Sequence, residues 1–183
     1  RNRALARFAR GDREGAVAAF HAGIEATSAP ALRFALAGVL EGMGRVEEAI
    51  QEHQAVLDAA PGSLAAANNL AMLLATYRED AESLDRALEL AEPLGESDNA
   101  AYLDTLGWVH YKRGEYRQAL PLLERAVAGD GDAPVMQFHL GMTHYRLDEP
   151  EAAAEHLARA LAGEARFREA DLARSTLEAI RGG

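Results

Sequence analysis

Leu103-Asp104-Thr105-Leu106-Gly107-Trp108-Val109-His110-Tyr111 returns in the same register as Gln137-Phe138-His139-Leu140-Gly141-Met142-Thr143-His144-Tyr145. Gly107 and Gly141 are 34 residues apart. The same offset relates Ala119 to Ala153, Ala126 to Ala160, Leu123 to Leu157 and Lys112 to Arg146. A period of this length, sustained over many positions, marks a chain built from repeated supersecondary units that bury their apolar faces by stacking.

The register continues upstream. Leu36-Ala37, Gly44, Ala49 and Pro61 fit a unit that begins at Pro30. The next begins at Leu64, and its Leu70-Ala71 falls where Leu106-Gly107 falls later. Its Ala87 arrives four residues late, so about four extra residues around Arg78 to Ser83 are expected to lengthen its inter-helix turn. Gly11, Ala16 and Phe20 fit a first unit whose leading helix is incomplete. The sequence therefore predicts a single array over 1–183, made of helical hairpins 1–29 (truncated), 30–63, 64–99, 100–133 and 134–163, with a capping helix over 165–181.

Local chemistry supports helices. Alanine is the strongest helix former, and no run of β-branched and aromatic residues alternates with polar ones as a strand would. Gly11, Gly44, Gly114 and Asp148 occupy the matched place between the two helices of a hairpin. Pro30, Pro134 and Pro150 stand at helix starts, where the missing N–H costs nothing. Pro121 lies inside a helix, where it removes one backbone bond and is expected to bend it. Ala37, Ala71, Gly107 and Gly141 face Ala49, Ala87, Ala119 and Ala153 across the crossing of each hairpin, so the two helices can approach closely. Leu172, Leu177 and Ile180 are read as the apolar stripe of the end helix.

The pattern of Leu106-Gly107, His110, Ala119, Leu123 and Ala126 resembles the tetratricopeptide repeat over nearly the whole chain. It departs from the family where Leu103 and Gln137 replace a usual Trp and where only Pro61 supplies the terminal Pro. The fold this implies is all-α: a right-handed α-solenoid of tetratricopeptide helical hairpins with a C-terminal capping helix. Asn68-Asn69-Leu70-Ala71 and the stretch ending at Trp108 also look like the C-terminal units of bacterial multi-repeat proteins, some of which serve polysaccharide or protein export.

The resemblance implies a binding groove lined by the first helix of each hairpin. Its positions transfer to Phe34, Gly38 and Glu41, then to Asn68, Asn69 and Met72. They continue at Asp104, Thr105, Trp108, Tyr111 and Lys112, and at Phe138, His139, Met142, Tyr145 and Arg146. Positions 104, 108 and 111 share one helix side. Trp108 is expected to be an exposed anchor at the centre of the site, in keeping with the role of Trp and Tyr in interfaces. Asn68, Asn69, Asp104 and His139 would read peptide amides, and Lys112 and Arg146 would hold a carboxylate. Other readings stay open: Tyr111 and Tyr145 packing between hairpins, Met72 and Met142 filling the core, and solvated Lys112 and Arg146. His110 and His144 are read as inter-helix packing.

The function implied is a protein–protein interaction scaffold that takes an extended peptide or partner helix. The alternative is a self-assembling scaffold segment of a larger secretion machine, with homo-oligomer contacts through array ends. A net charge of −10 argues against nucleic acid, whose affinity rests on Lys and Arg. The chain has no cysteine, which excludes disulfides and thiolate chemistry. No apolar run reaches the ~20 residues that span a bilayer, so no direct membrane insertion is expected. No phosphate loop, zinc-protease motif or nucleophile elbow is present, and neither an enzyme nor a cofactor is predicted. Gly129-Asp130-Gly131-Asp132 lacks the later ligands of a calcium loop. The chain begins at Arg1 rather than Met, as expected of a segment cut from a longer protein.

Overall fold

The computed structural model describes residues 1–78, 80–163 and 167–182. Eleven α-helices and one 3₁₀ turn occur among them, with no strand. They are α1 (Asn2–Ala9), α2 (Arg13–Thr27), α3 (Pro30–Gly42), α4 (Val46–Ala59), α5 (Leu64–Tyr77), α6 (Ala81–Ala91), the 3₁₀ turn Glu92–Glu96, α7 (Ala100–Lys112), α8 (Tyr116–Gly129), α9 (Pro134–Arg146), α10 (Pro150–Ala160) and α11 (Ala170–Gly182). The chain forms two compact units, Arg1–Arg78 and Glu79–Gly183. In the first, α1 to α5 each pack on the next; in the second, α6 to α11 do the same, and α7 also meets α9.

The hairpin turns have a common cause. Gly11, Gly44, Gly114 and Asp148 all adopt positive φ, between 62° and 84°. This left-handed residue ends the first helix so that three residues suffice to start the second. Glycine reaches that conformation freely, and Asp tolerates it. Pro30, Pro134 and Pro150 open their helices, while Asp12, Ser63, Asp80 and Asn99 cap theirs with side-chain oxygens. Pro121 sits inside α8, which runs on as one helix through it.

The connection from α5 to α6 corrects one expectation. The extra residues do not lengthen it, since three residues separate α5 from α6, as many as separate the two helices of each hairpin. They extend the helices instead: α5 runs one residue further past Ala71 than α3 runs past Ala37, and α6 starts three residues earlier relative to Ala87 than α4 does relative to Ala49. Helix is the lower-energy place for Ala81, Glu82 and Ser83, because Asp80 caps the backbone N–H of Ser83 at 2.8 Å. Glu79, in that turn, lies outside the described residues.

The close crossings occur where small residues recur. A Cβ on Gly107 would lie 2.6 Å from Leu123 Cγ, and one on Gly141 would lie 2.9 Å from Leu157 Cγ. Ala37, Ala49, Ala71, Ala87, Ala119 and Ala153 are fully buried. In the first unit Val17, Phe20, Leu36, Leu40 and Leu73 belong to one core cluster. The end helix is corrected in its buried stripe. Ala170, Ala173, Thr176 and Leu177 face inward, whereas Leu172 is exposed. Leu172 lies on the flank of a stripe whose phase is set by the smaller Ala170 and Ala173, which let α11 approach α10. Residues 165 and 166, where this helix was expected to begin, lie outside the described residues.

Candidate functional site

In the second unit the expected groove positions collapse onto one another. Trp108 on α7 stacks on His139 of α9 at 3.9 Å between ring centroids and on Tyr111 at 4.5 Å. Phe138 closes the cluster at 5.8 Å from Trp108, and Phe167 lies against Phe138 at 5.6 Å. Trp108 is consequently only 6% exposed, Met142 is equally covered, and Phe138 is fully buried. This overturns the expectation that Trp108 is an exposed anchor. The indole is sealed between neighbouring hairpins, because adjacent first helices each contribute rings large enough to fill the gap between them.

The polar members of that set are also taken. His139 Nδ1 and Asp104 Oδ1 are 2.8 Å apart and both are buried. The pair joins α7 to α9 and satisfies two groups that would be costly to bury alone. Thr105 donates to the carbonyl of Ala101, one turn back, and is 1% exposed. Asp104 and His139 are thus corrected from peptide-reading groups to an interlocking pair, and Thr105 from a groove position to a buried one bonded within its own helix.

Tyr111, Lys112, Tyr145 and Arg146 remain accessible. Tyr111 is half-buried, and its phenol pKa is raised, chiefly by burial, with nearby Arg146 opposing. The Arg146 guanidinium lies 4.7 Å from the centroid of the Tyr116 ring, a cation–π arrangement on the exposed end of α9. Tyr145 is 42% exposed. Lys112 lines a shallow cleft with Ala81, Leu84, Asp85 and Arg113.

The matched histidines have a local role. His110 Nδ1 meets Glu115 at 2.7 Å and His144 Nδ1 meets Glu149 at 2.6 Å, so each ties the end of a first helix to the start of the second. His144 also stacks on His156 at 5.4 Å, nearly parallel. Among the described residues no group of three His, Cys, Asp or Glu is placed to hold a metal. No described helix is long and apolar enough to cross a membrane.

In the first unit the groove positions stay more open. Phe34 and Glu41 are half-buried and Gly38 is exposed. Phe34 forms one wall of a cleft of about 310 Å³ with Pro30, Ala31, Val56, Ala60 and Ala65. His53, fully buried, meets Phe34 edge-on at 5.4 Å and bonds Glu41 through Nε2 at 2.8 Å. Sequence reasoning missed this pair. The available signal was an ionisable residue standing where the later hairpins carry Leu123 and Leu157. On α5, Asn68, Asn69 and Met72 are half-buried. Asn68 Nδ2 donates to Asn69 Oδ1 at 3.0 Å, while Asn68 Oδ1 is buried without a partner among the described residues.

The family model described as tetratricopeptide repeat matches residues 1–64 and 105–171. The chain belongs to the tetratricopeptide repeat family. Among solved structures, it is similar over 100% of its length to 97% of TTC0263, a thermophilic tetratricopeptide repeat protein of Thermus thermophilus, with 20% identity and a TM-score of 0.70. Residues 41 to the end of MamA from Desulfovibrio magneticus RS-1 match at 20% identity and TM-score 0.72, covering 87% of this chain and 90% of that one. YrrB, described as having an unusual peptide-binding site, matches at 19% identity and TM-score 0.60, covering 90% of this chain and 82% of that one. At these identities the likeness speaks to the fold. Comparison with curated proteins yields no match. Membership in this family makes the chain an all-helical solenoid and supports a protein-interaction scaffold.

Proposed function

We propose that this tetratricopeptide scaffold binds an extended peptide along its first helices, with α5 of the first unit as the reading surface. The observation that carries this is Asn68. Its carboxamide oxygen is buried and unpartnered, while Asn69 and Met72 beside it remain partly accessible. A buried acceptor without a donor costs about 1–3 kcal/mol, and turning the half-buried Asn68 side chain toward an incoming amide N–H would recover it. Met72 offers a soft apolar contact next to that acceptor. In the second unit Tyr111, Lys112, Tyr145 and Arg146 supply accessible aromatic and cationic groups suited to a peptide side chain or carboxylate. YrrB's described peptide-binding site on a similar fold adds support of a general kind.

Selection of random peptides against the chain, followed by amide chemical-shift mapping of the best binder, tests the proposal. Shifts concentrated at Asn68, Asn69 and Met72, and lost in Asn68→Ala, are expected. Failure to select any binder, or a binder that leaves α5 unmoved, would count against it.

A further inference from the structure

We propose that the arginine face of α1 is an interface for a second copy of this chain, whose acidic α6 face it fits. Residues 1–13 contain five arginines and one aspartate, in a protein of net charge −10. All five arginines are exposed. Arg7 pairs with Asp12 at 3.3 Å, whereas Arg1, Arg3, Arg10 and Arg13 have no ion pair among the described residues. Elsewhere the arginines are mostly neutralised: Arg33 by Glu52, Arg45 by Glu14 and Glu48, Arg125 by Asp98. Arg3 and Arg7 on α1 and Arg10, the residue just past its end, keep i, i+4, i+7 spacing, so they form one exposed stripe.

The complement stands on α6 and the first residue of the 3₁₀ turn that follows it. Glu82, Asp85, Glu89 and Glu92 follow i, i+3, i+7, i+10 spacing, and all are exposed. Asp85 pairs with Arg113 and Glu89 with Arg86, but both carboxylate side chains remain about two-thirds exposed, at 65% and 67%. Arg3 to Arg10 and Glu82 to Glu89 are each seven residues, about 10 Å of helix rise. Two helices laid side by side can therefore match charge for charge. At about 0.1 M ionic strength charges act over about 10 Å. The like net charge of two copies is then largely screened, while facing stripes still attract. A nucleic acid is the poorer fit, because a single short helix turn of arginines faces a chain that is otherwise acidic.

Sedimentation velocity over a range of protein concentrations at about 0.1 M salt tests this. The wild-type chain should gain mass with concentration and return to monomer at about 1 M salt, where charges reach only about 3 Å. Arg3→Glu with Arg10→Glu should be monomeric throughout, and so should Glu82→Lys with Glu92→Lys. An equimolar mixture of the two variants should associate again, because the arginine face left intact in one meets the acidic face left intact in the other, and the two reversed faces are complementary as well. Circular dichroism confirms that each variant is folded. A wild-type chain that stays monomeric at every concentration overturns the proposal, as does an arginine-reversed variant that associates like wild type. If the wild type is monomeric but binds vesicles containing anionic lipid or duplex DNA, and the arginine reversal abolishes that binding, the surface serves a polyanion and the second-copy reading is wrong.

Discussion

The hairpin α3–α4 and the hairpin α9–α10 share one backbone template and put it to opposite uses. Phe34 matches Phe138, Ala35 matches His139, Gly38 matches Met142 and Glu41 matches Tyr145. In α9 Phe138, His139 and Met142 are bulky and buried, and with Trp108 from α7 they fill the space between adjacent first helices. In α3 the two middle positions are Ala35 and Gly38, and the space stays open enough for a cleft beside Phe34. The difference shows that a groove position is not exposed because of its slot. Large side chains on neighbouring first helices bury one another, whereas small ones leave room for a ligand. The hairpin that looks richest in binding groups is for that reason the better sealed one.

The largest expected effect tests the sealing. Trp108→Ala removes an indole stacked on two sides and 6% exposed. Truncating a buried aromatic costs about 3–5 kcal/mol, so the midpoint of thermal or urea unfolding should fall sharply. An unchanged midpoint would mean that Trp108 is not part of the core, and the comparison of the two hairpins would fail with it.

A smaller effect distinguishes two helical glycines, one at a close crossing and one at an open position. Gly141→Ala would place a Cβ 2.9 Å from Leu157 Cγ and 3.1 Å from the Leu157 backbone N, so one side chain and one main chain must shift. Overpacking of this kind costs about 1–3 kcal/mol. Gly38, inside α3, has no atom within 4 Å of its ideal Cβ. Gly38→Ala should therefore stabilise the protein by about 0.4–1 kcal/mol through helix propensity and a less mobile unfolded chain. Unfolding curves of the two variants should move in opposite directions. Equal shifts would place the close crossing somewhere other than the seam of small residues.

The fold was legible because its determinants are local and periodic. A 34-residue offset, a left-handed residue at each hairpin turn and a small residue at each crossing all leave marks in single positions. The extra residues near Arg78 were legible as a count but not as a place, since a cap at Asp80 turned them into helix. The site was less legible. Trp108, His139 and Asp104 carry the right chemistry for recognition, and only the distance between α7 and α9 decides that they recognise each other. The arginines of residues 1–13 lie in plain sight in the sequence, but that four of the five have no ion pair among the described residues emerges only when the other arginines are seen to be paired.

The smallest effect concerns pH and again separates the two hairpins, because α3–α4 has Leu40 where α9 has His144. Gln137 Nε2 donates to the carbonyl of Gly131 at 2.8 Å, so its Oε1 is left to accept from His156 Nδ1 at 2.7 Å. His156 thus carries its neutral proton on Nδ1, and a second proton would have to enter at Nε2. Burial holds its pKa below the ordinary value of 6.5; His144 and, less strongly, Arg159 act in the same direction, while Glu155 opposes. Below pH 6.5 the unfolded chain takes up a proton at His156 that the folded chain resists. The unfolded state then binds more protons, so stability falls as the pH falls from about 6.5 toward the lower pKa of the folded state. Above 6.5 both states are neutral at this position and the contribution is complete. His156→Gln keeps a donor that can face Gln137 and removes the titration. The stability difference between wild type and this variant should therefore shift in favour of the variant between pH 6.5 and pH 5, as read by urea midpoints. A difference that stays constant over that range would show that His156 titrates alike in both states, and that the stacked histidines of α9–α10 are no more sensitive to acid than the leucine that replaces His144 in α3.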